Sequence, residues 1–292
     1  GLSTRGVSSP IEPRWLQLFC LSLVVMRCQP LRRALAVKVH KWERSPKLKI
    51  ALVTGGSKGI GLHVVLRLLK QGYKVITCSR SKDTWLDVLE KHPELKAVDY
   101  QSVDIADEQQ LERLFSHVAE HYGKLDVAVN NASPALASRG YLSQVDVLLL
   151  KETLHVDFLC QALCLRSELK LMEAGASIVN VSSVNGIRPT PNASMYSAAK
   201  HALEGLTKSV ALESIKSGIR INAVAPGVTW TPRWEEKQLD NSNIRADVSG
   251  VVPINRFGEI DEIVNAIEFL LSDKASYVVG HTLVVDGGLS LA

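Results

Sequence analysis

From residue 48 onward, short apolar runs alternate with longer segments whose apolar residues recur at helical spacing. Lys49-Ile50-Ala51-Leu52-Val53-Thr54 carries a continuous apolar run that ends in glycines, the pattern of a strand buried on both faces. The next segment, 59–71, sets Ile60, Val64 and Leu68 on one helical face and stops at Gly72. The same alternation then repeats. It predicts strands over 73–78, 97–103, 125–130, 176–182, 219–225 and 281–285. It predicts helices over 82–92, 107–122, 143–173, 193–217 and 259–271, with Gly123 and Gly218 as stops. Strands separated by helices pair in parallel through right-handed crossovers, with helices on both faces. The expectation is an α/β architecture: a doubly wound seven-stranded parallel sheet, forming a single domain over 48–292.

Residues 1–47 break this pattern and form an N-terminal extension. Trp15 to Met26 is an apolar run of about twelve residues, short of the ~20 that span a bilayer, so a membrane partner is not expected. Residues 1–50 hold ten Lys/Arg against Glu12 and Glu43, which leaves 24 basic and 28 acidic residues in the remainder (34 less ten, 30 less two). A basic tail on a near-neutral body accounts for the net charge of +4, too small to indicate nucleic-acid binding. Three readings of the extension compete: a signal-type apolar region, an Arg-rich organellar (mitochondrial) presequence, and a poorly ordered tail. The last is the expectation. There are five cysteines and no C-x-x-C. Cys160 and Cys164 share a helical face among apolar neighbours and read as buried free thiols. That suits a reducing compartment, hence the cytoplasm, or an organelle if the presequence reading holds.

Chemistry enters at the end of the first strand, in Thr54-Gly55-Gly56-Ser57-Lys58-Gly59-Ile60-Gly61. Glycines let the backbone approach a phosphate closely, and the helix that follows turns its free N–H groups and partial positive charge toward it. Between a strand and a helix at the first turn, this is a dinucleotide loop of the Rossmann type. No Gly-Lys-Ser/Thr triplet closes it, which excludes a nucleoside-triphosphate loop. After the second strand, where an acid would bind a ribose 2′-hydroxyl, stand Ser79 and Arg80. With Lys58 they suit a 2′-phosphate, so NADP(H) is preferred over NAD(H).

Tyr196 and Lys200 are four residues apart in a run of helix formers, on one face and one turn apart. A cation beside a phenol favours its ionised form and brings proton exchange closer to neutral pH. Elsewhere such a pair is an ordinary surface contact; here Ser183 lies thirteen residues upstream and a dinucleotide loop precedes both.

In combination these motifs resemble the short-chain dehydrogenase/reductase family over about residues 49–288, in particular carbonyl and 3-oxoacyl thioester (acyl-carrier-protein) reductases. The glycine string is similar to its T-G-x-x-x-G-x-G. Asp104 with Ile105 falls at its adenine-contacting acid, and Asn130-Asn131-Ala132-Ser133 resembles its N-N-A-G. Pro226-Gly227-Val228-Thr229-Trp230-Thr231 is similar to the segment that grips the nicotinamide end, and Asp286-Gly287-Gly288 to its C-terminal ending. The resemblance implies that Tyr196 gives a proton to a carbonyl oxygen, Lys200 holds the nicotinamide ribose, and Ser183 orients the substrate. It also implies pairing of long helices into homodimers or homotetramers. Two departures stand out. The family's helical Asn, which supports a water chain to the lysine, maps by counting back from Ser183 to Thr153, Leu154 or His155, none of which is Asn. Ser133 replaces the last glycine of N-N-A-G. A cofactor-binding regulator or scaffold of low turnover is therefore the alternative, opposed by the intact Ser183, Tyr196 and Lys200.

Two further stretches carry expectations. His117-Val118-Ala119-Glu120-His121 matches a zinc-peptidase pattern, but no third ligand accompanies it and no metal is expected. Between 231 and 251 the periodicity fails and Trp230, Arg233, Trp234 and Lys237 cluster. This segment reads equally as a substrate lid with Arg233 facing an anionic group, or as a surface helix seating its tryptophans on the core. Residues 185–194 are expected to form the opposite wall.

Overall fold

The computed structural model describes residues 48–134 and 136–292. The expectations for the extension therefore lie outside the described residues. Seven strands, β1 (Ile50–Thr54), β2 (Lys74–Ser79), β3 (Asp99–Ser102), β4 (Leu125–Asn130), β5 (Met172–Val181), β6 (Arg220–Pro226) and β7 (Thr282–Val285), form one sheet in the order β3-β2-β1-β4-β5-β6-β7. Every pairing is parallel. The order reverses between β1 and β4, so the connections leave their carboxyl ends in opposite directions and open a crevice there.

The central strands are mostly apolar because both faces are covered, whereas the edge strand β3 (Asp99-Tyr100-Gln101-Ser102) is polar and partly buried. Leu52, Ile76, Ala128, Ile178 and Ile221 turn one way, toward helices α3 (Glu108–Tyr122), α5 (Cys160–Leu169) and α6 (Ser194–Ser214). Ala51, Val53, Val75, Val129, Val179 and Val224 turn the other way, toward α1 (Gly59–Lys70), α2 (Lys82–Lys91) and α9 (Ile260–Leu271). Each buried Leu or Ile contributes about 1.5–3 kcal/mol relative to exposure. Helix ends follow local chemistry. Asp107 caps α3 through the amides of Gln109 and Gln110, and Gly123 ends it at φ 70°. Glu259 and Glu262 form a capping box on α9. At the other end of α9, the buried Arg220 guanidinium donates to the carbonyls of Leu270, Leu271, Ser272 and Ala275.

The segment expected to be mostly helical over 143–173 consists of α4 (Val147–Leu154), a π-helical turn over His155–Leu159, and α5. Its last residues join β5, which begins at Met172; apolar runs this short fit helix or strand alike. Between Thr231 and Val251 two helices form, α7 (Pro232–Asp240) and α8 (Ile244–Ser249). Cys160 and Cys164 are buried and free, as is Cys78, and burial pushes the Cys160 thiol up to about 11.

Candidate active site

A cleft of about 490 Å³ opens at the carboxyl ends of the strands. Its floor is the glycine loop. Gly59 has φ 56°, and a side chain there would meet nothing nearer than Thr231 at 3.8 Å, so the space above the loop is open. A Cβ on Gly61 would instead lie 2.2 Å from the Gly55 carbonyl and 2.4 Å from Asn131 Nδ2. Gly61 thus packs under the loop and does not line the cleft. The Asn131 side chain braces this arrangement by donating to the carbonyls of Thr54 and Gly55, while the Thr54 hydroxyl accepts from the amides of Asn131 and Ala132. No side chain caps the first turn of α1, which leaves its amides free for an anion.

The sequence-predicted residues gather here with two exceptions. Gly55, Ser57, Lys58, Gly59, Ile60, Ser79, Arg80, Asp104, Ile105, Asn131, Ala132, Ser183, Tyr196, Lys200, Pro226, Gly227 and Thr231 all line the cleft. Gly61 does not, because it lies under the loop, and Val228 faces a smaller cavity beside Arg256 and Glu262. Lys58 and Arg80 are exposed at the cleft and flank the hydroxyls of Ser79, Ser81 and Thr84. Gly227 is held against the C-terminal turn: a Cβ there would be 2.7 Å from Asp286 Cα.

At the other end, α6 presents Tyr196 half-buried and Lys200 fully buried. The Lys200 ammonium lies 5.7 Å from the centre of the Tyr196 ring and donates to the Val181 carbonyl at 3.4 Å. Ser183 follows β5 and accepts from the Asn185 amide through its hydroxyl, 3.2 Å away. Burying an ammonium costs several kcal/mol unless an opposite charge attends it. Asp157, in the π turn, places Oδ1 3.7 Å from Lys200 Nζ.

Comparison with known proteins agrees with this geometry. Residues 55–290 match the family description "Enoyl-(Acyl carrier protein) reductase". A levodione reductase of Leifsonia aquatica is 35% identical over 255 residues, covering 84% of this chain and 95% of the relative. A human 3-oxoacyl-[acyl-carrier-protein] reductase is 32% identical over 249 residues, covering 83% and 98%. Among solved structures, ElxO with NADP bound matches with a TM-score of 0.79 at 31% identity, covering 84% of this chain and all of its own (100%). The chain belongs to the short-chain dehydrogenase/reductase family. It is an oxidoreductase of that family.

Against the family pattern, none of the three side chains to which the Asn position counted back contacts the Lys200 ammonium, and Leu154 is turned to solvent. Thr153 donates to Ser138 Oγ at 2.8 Å, and His155 Nε2 meets the Ala106 carbonyl at 3.1 Å. Asp157 approaches the ammonium instead, and the Ser133 hydroxyl donates to it at 2.6 Å. The helix changes phase at the π turn, and such a turn leaves no mark in a residue count.

The cleft wall also departs from expectation. Residues 185–194 do not line it, because this segment packs beneath α6: the Asn185 carbonyl accepts from Ser197 Oγ, and Arg188 reaches the Leu289 carbonyl. The wall is built by Pro134, Glu152, His155 and Trp234; sequence reasoning named His155 only as a candidate for the Asn position and Trp234 only within the lid-or-surface segment, and passed over Pro134 and Glu152. Arg233 does not stand free. Its guanidinium donates to the carbonyls of Ser133 and Pro134 and ties α7 to the segment after β4. Trp230 and Trp234 pack edge-on against Phe257 at 5.0 and 5.2 Å, with Arg245 and Lys237 over their outer faces. The surface-helix reading holds for the tryptophans, which seat on the body, while Pro232, Arg233 and Trp234 in the first turn of α7 border the cleft. His117 contacts Asp99 at 2.7 Å, and His121 contacts the His117 carbonyl. Burial acts against it, yet hydrogen bonds from His117, Tyr122 and Gln101 hold the Asp99 carboxyl below its usual range.

Proposed function

We propose that this chain interconverts a ketone and a secondary alcohol using NADP(H), with Tyr196 as the proton donor and acceptor. The observation that carries this reading is the placement of Tyr196, Ser183 and a buried Lys200 at one end of a cleft whose other end is a glycine loop. The residues fit the dinucleotide. Amides of the loop and the uncapped first turn of α1 would hold its pyrophosphate, and Arg80, Lys58 and Ser79 its 2′-phosphate. Asp104 and Ile105 would border its adenine, and Pro226, Gly227 and Thr231 its nicotinamide; all five line the cleft. When bound, NADPH supplies the hydride. Tyr196 donates the proton to the carbonyl oxygen, Ser183 hydrogen-bonds that oxygen and fixes its orientation, and Lys200 supplies the positive charge that favours phenolate. Similarity to ElxO with NADP bound and to a ketoreductase with NADPH (actinorhodin polyketide; TM-score 0.76, 30% identity) supports the cofactor, and the levodione and 3-oxoacyl reductases support a ketone.

NADPH oxidation followed at 340 nm (a cofactor absorbance band) over cyclic diketones, 3-oxoacyl thioesters and steroid ketones tests the reading. Turnover with at least one class, faster with NADPH than NADH, is the expected result; tight NADPH binding with no carbonyl reduced would leave the scaffold alternative. We further propose a homodimer or homotetramer built on the long helices. Its support is the exposed apolar residues Val147, Leu148 and Leu154 on α4 and Leu212 on α6, two helices that pack side by side.

A further inference from the structure

A line of side chains, Ser133–Asp157–Lys200, leads to Tyr196, and its effect on the chemistry rests on the proton-donor role proposed for that tyrosine. Ser133 Oγ donates to Asp157 Oδ1 at 2.6 Å, and the same oxygen lies 3.7 Å from Lys200 Nζ. The Asp157 and Lys200 side chains are each 2% exposed. Among the described residues, Asp157 is the one carboxylate within 4.0 Å of that ammonium. Other charged or titratable groups around the pair are engaged or lie along the cleft. His155 meets the Ala106 carbonyl, Arg233 the carbonyls of Ser133 and Pro134, and Glu168 the Asn130 amide. Glu204, one turn along α6, accepts from Thr282; His201 turns to the Ser197 carbonyl; Glu152 and Asp104 border the cleft.

A neutral amide at 157 would leave the whole field of the ammonium acting on the phenol. A buried carboxylate opposes part of it, because charges this close act strongly in a medium of low dielectric. The serine hydroxyl has its own part: it donates to the carboxylate and holds it in place.

We propose that Asp157, restrained by Ser133, is a positioning residue that pins the Lys200 ammonium and tempers its field at Tyr196. The test compares wild type with Asp157→Asn, Asp157→Glu and Ser133→Ala, each checked for native circular dichroism. In alcohol oxidation, Asp157→Asn moves the rising limb of the pH–rate profile to lower pH by about half a unit or more. Asp157→Glu, which keeps the charge, restores the wild-type limb. Ser133→Ala leaves the limb in place and lowers kcat. NADPH titration by fluorescence is the second readout, independent of turnover: with the lysine released, Asp157→Asn binds the anionic cofactor several-fold more tightly at low salt. Superimposed profiles for wild type and Asp157→Asn, equal NADPH affinity, or a limb shift in Ser133→Ala as large as in Asp157→Asn would overturn the proposal. If no carbonyl is turned over, the proposed ketone–alcohol function fails and the titration alone still decides the role of Asp157.

Discussion

Single residues divide the chemistry of the cleft between its two ends. At the end of the cleft proposed to hold the adenosine, Arg80 is exposed and lies after β2, where a 2′-hydroxyl would call for an acid. Arg80→Asp is expected to weaken NADPH binding tenfold or more while leaving NADH binding unchanged or improved, as read by fluorescence titration; equal loss for both cofactors would count against a 2′-phosphate contact. A second residue acts through stability. Burial pushes the Glu168 carboxyl up to about 7, with the Asn130 amide holding it back from going further. The folded state keeps this proton where the unfolded chain, near 4.5, has lost it. Stability contributed by the protonated form is therefore full below pH ~4.5, falls as pH rises toward 7 and is gone above that, a loss of about 3 kcal/mol. Glu168→Gln should flatten this slope, so its advantage in denaturant midpoint over wild type grows from pH 5 to pH 8. A constant difference across that range would refute the assignment. The thiols follow the same logic: Cys78, Cys160 and Cys164 are buried with raised pKa values and should resist alkylation until the protein unfolds.

Elements carry the next level. Arg220 begins β6 and donates four hydrogen bonds to carbonyls at the end of α9 and in the turn after it, beside Ser272, whose hydroxyl donates to the Phe269 carbonyl. Arg220→Met removes these charge-assisted bonds and leaves buried carbonyls unpaired, for an expected loss of about 2–4 kcal/mol in urea denaturation. A change below about 0.5 kcal/mol would mean that water replaces the guanidinium without cost. Elements also explain which parts of the site are legible in the sequence. The glycine loop is legible because its residues are contiguous and each answers a local steric demand. Ser183, Tyr196 and Lys200 are legible because one strand end and one helix face carry them. Asp157 is not, since its direction depends on a π turn that periodicity does not reveal. Pro134 and Glu152 are not either: both reach the cleft from the long connection between β4 and β5, and no local pattern states which of its residues turn inward. Asn131 illustrates the converse. It is expected at the cofactor, and it does border the cleft, but its amide is spent on holding the loop.

For the molecule as a whole, the reversal of strand order at β1 and β4 fixes where the crevice opens, and the two-sided core makes the sheet a rigid frame beneath it. Alternation of buried strands with amphipathic helices is enough to anticipate this architecture, because a parallel sheet covered on both faces imposes an apolar run on its central strands. Assembly belongs to this scale. The proposed pairing through α4 and α6 predicts that Leu148→Glu combined with Leu212→Glu shifts the species seen by sedimentation toward monomer. An unchanged mass would place the interface elsewhere.

The central claim, that a phenol on α6 moves the proton in a ketone–alcohol exchange, is tested most directly by Tyr196→Phe. NADPH affinity and carbonyl reduction are measured on the same preparation. The account predicts affinity within about threefold of wild type and a fall in kcat of about 10²–10⁴, the range expected for loss of a general acid. Wild-type turnover in Tyr196→Phe would contradict it.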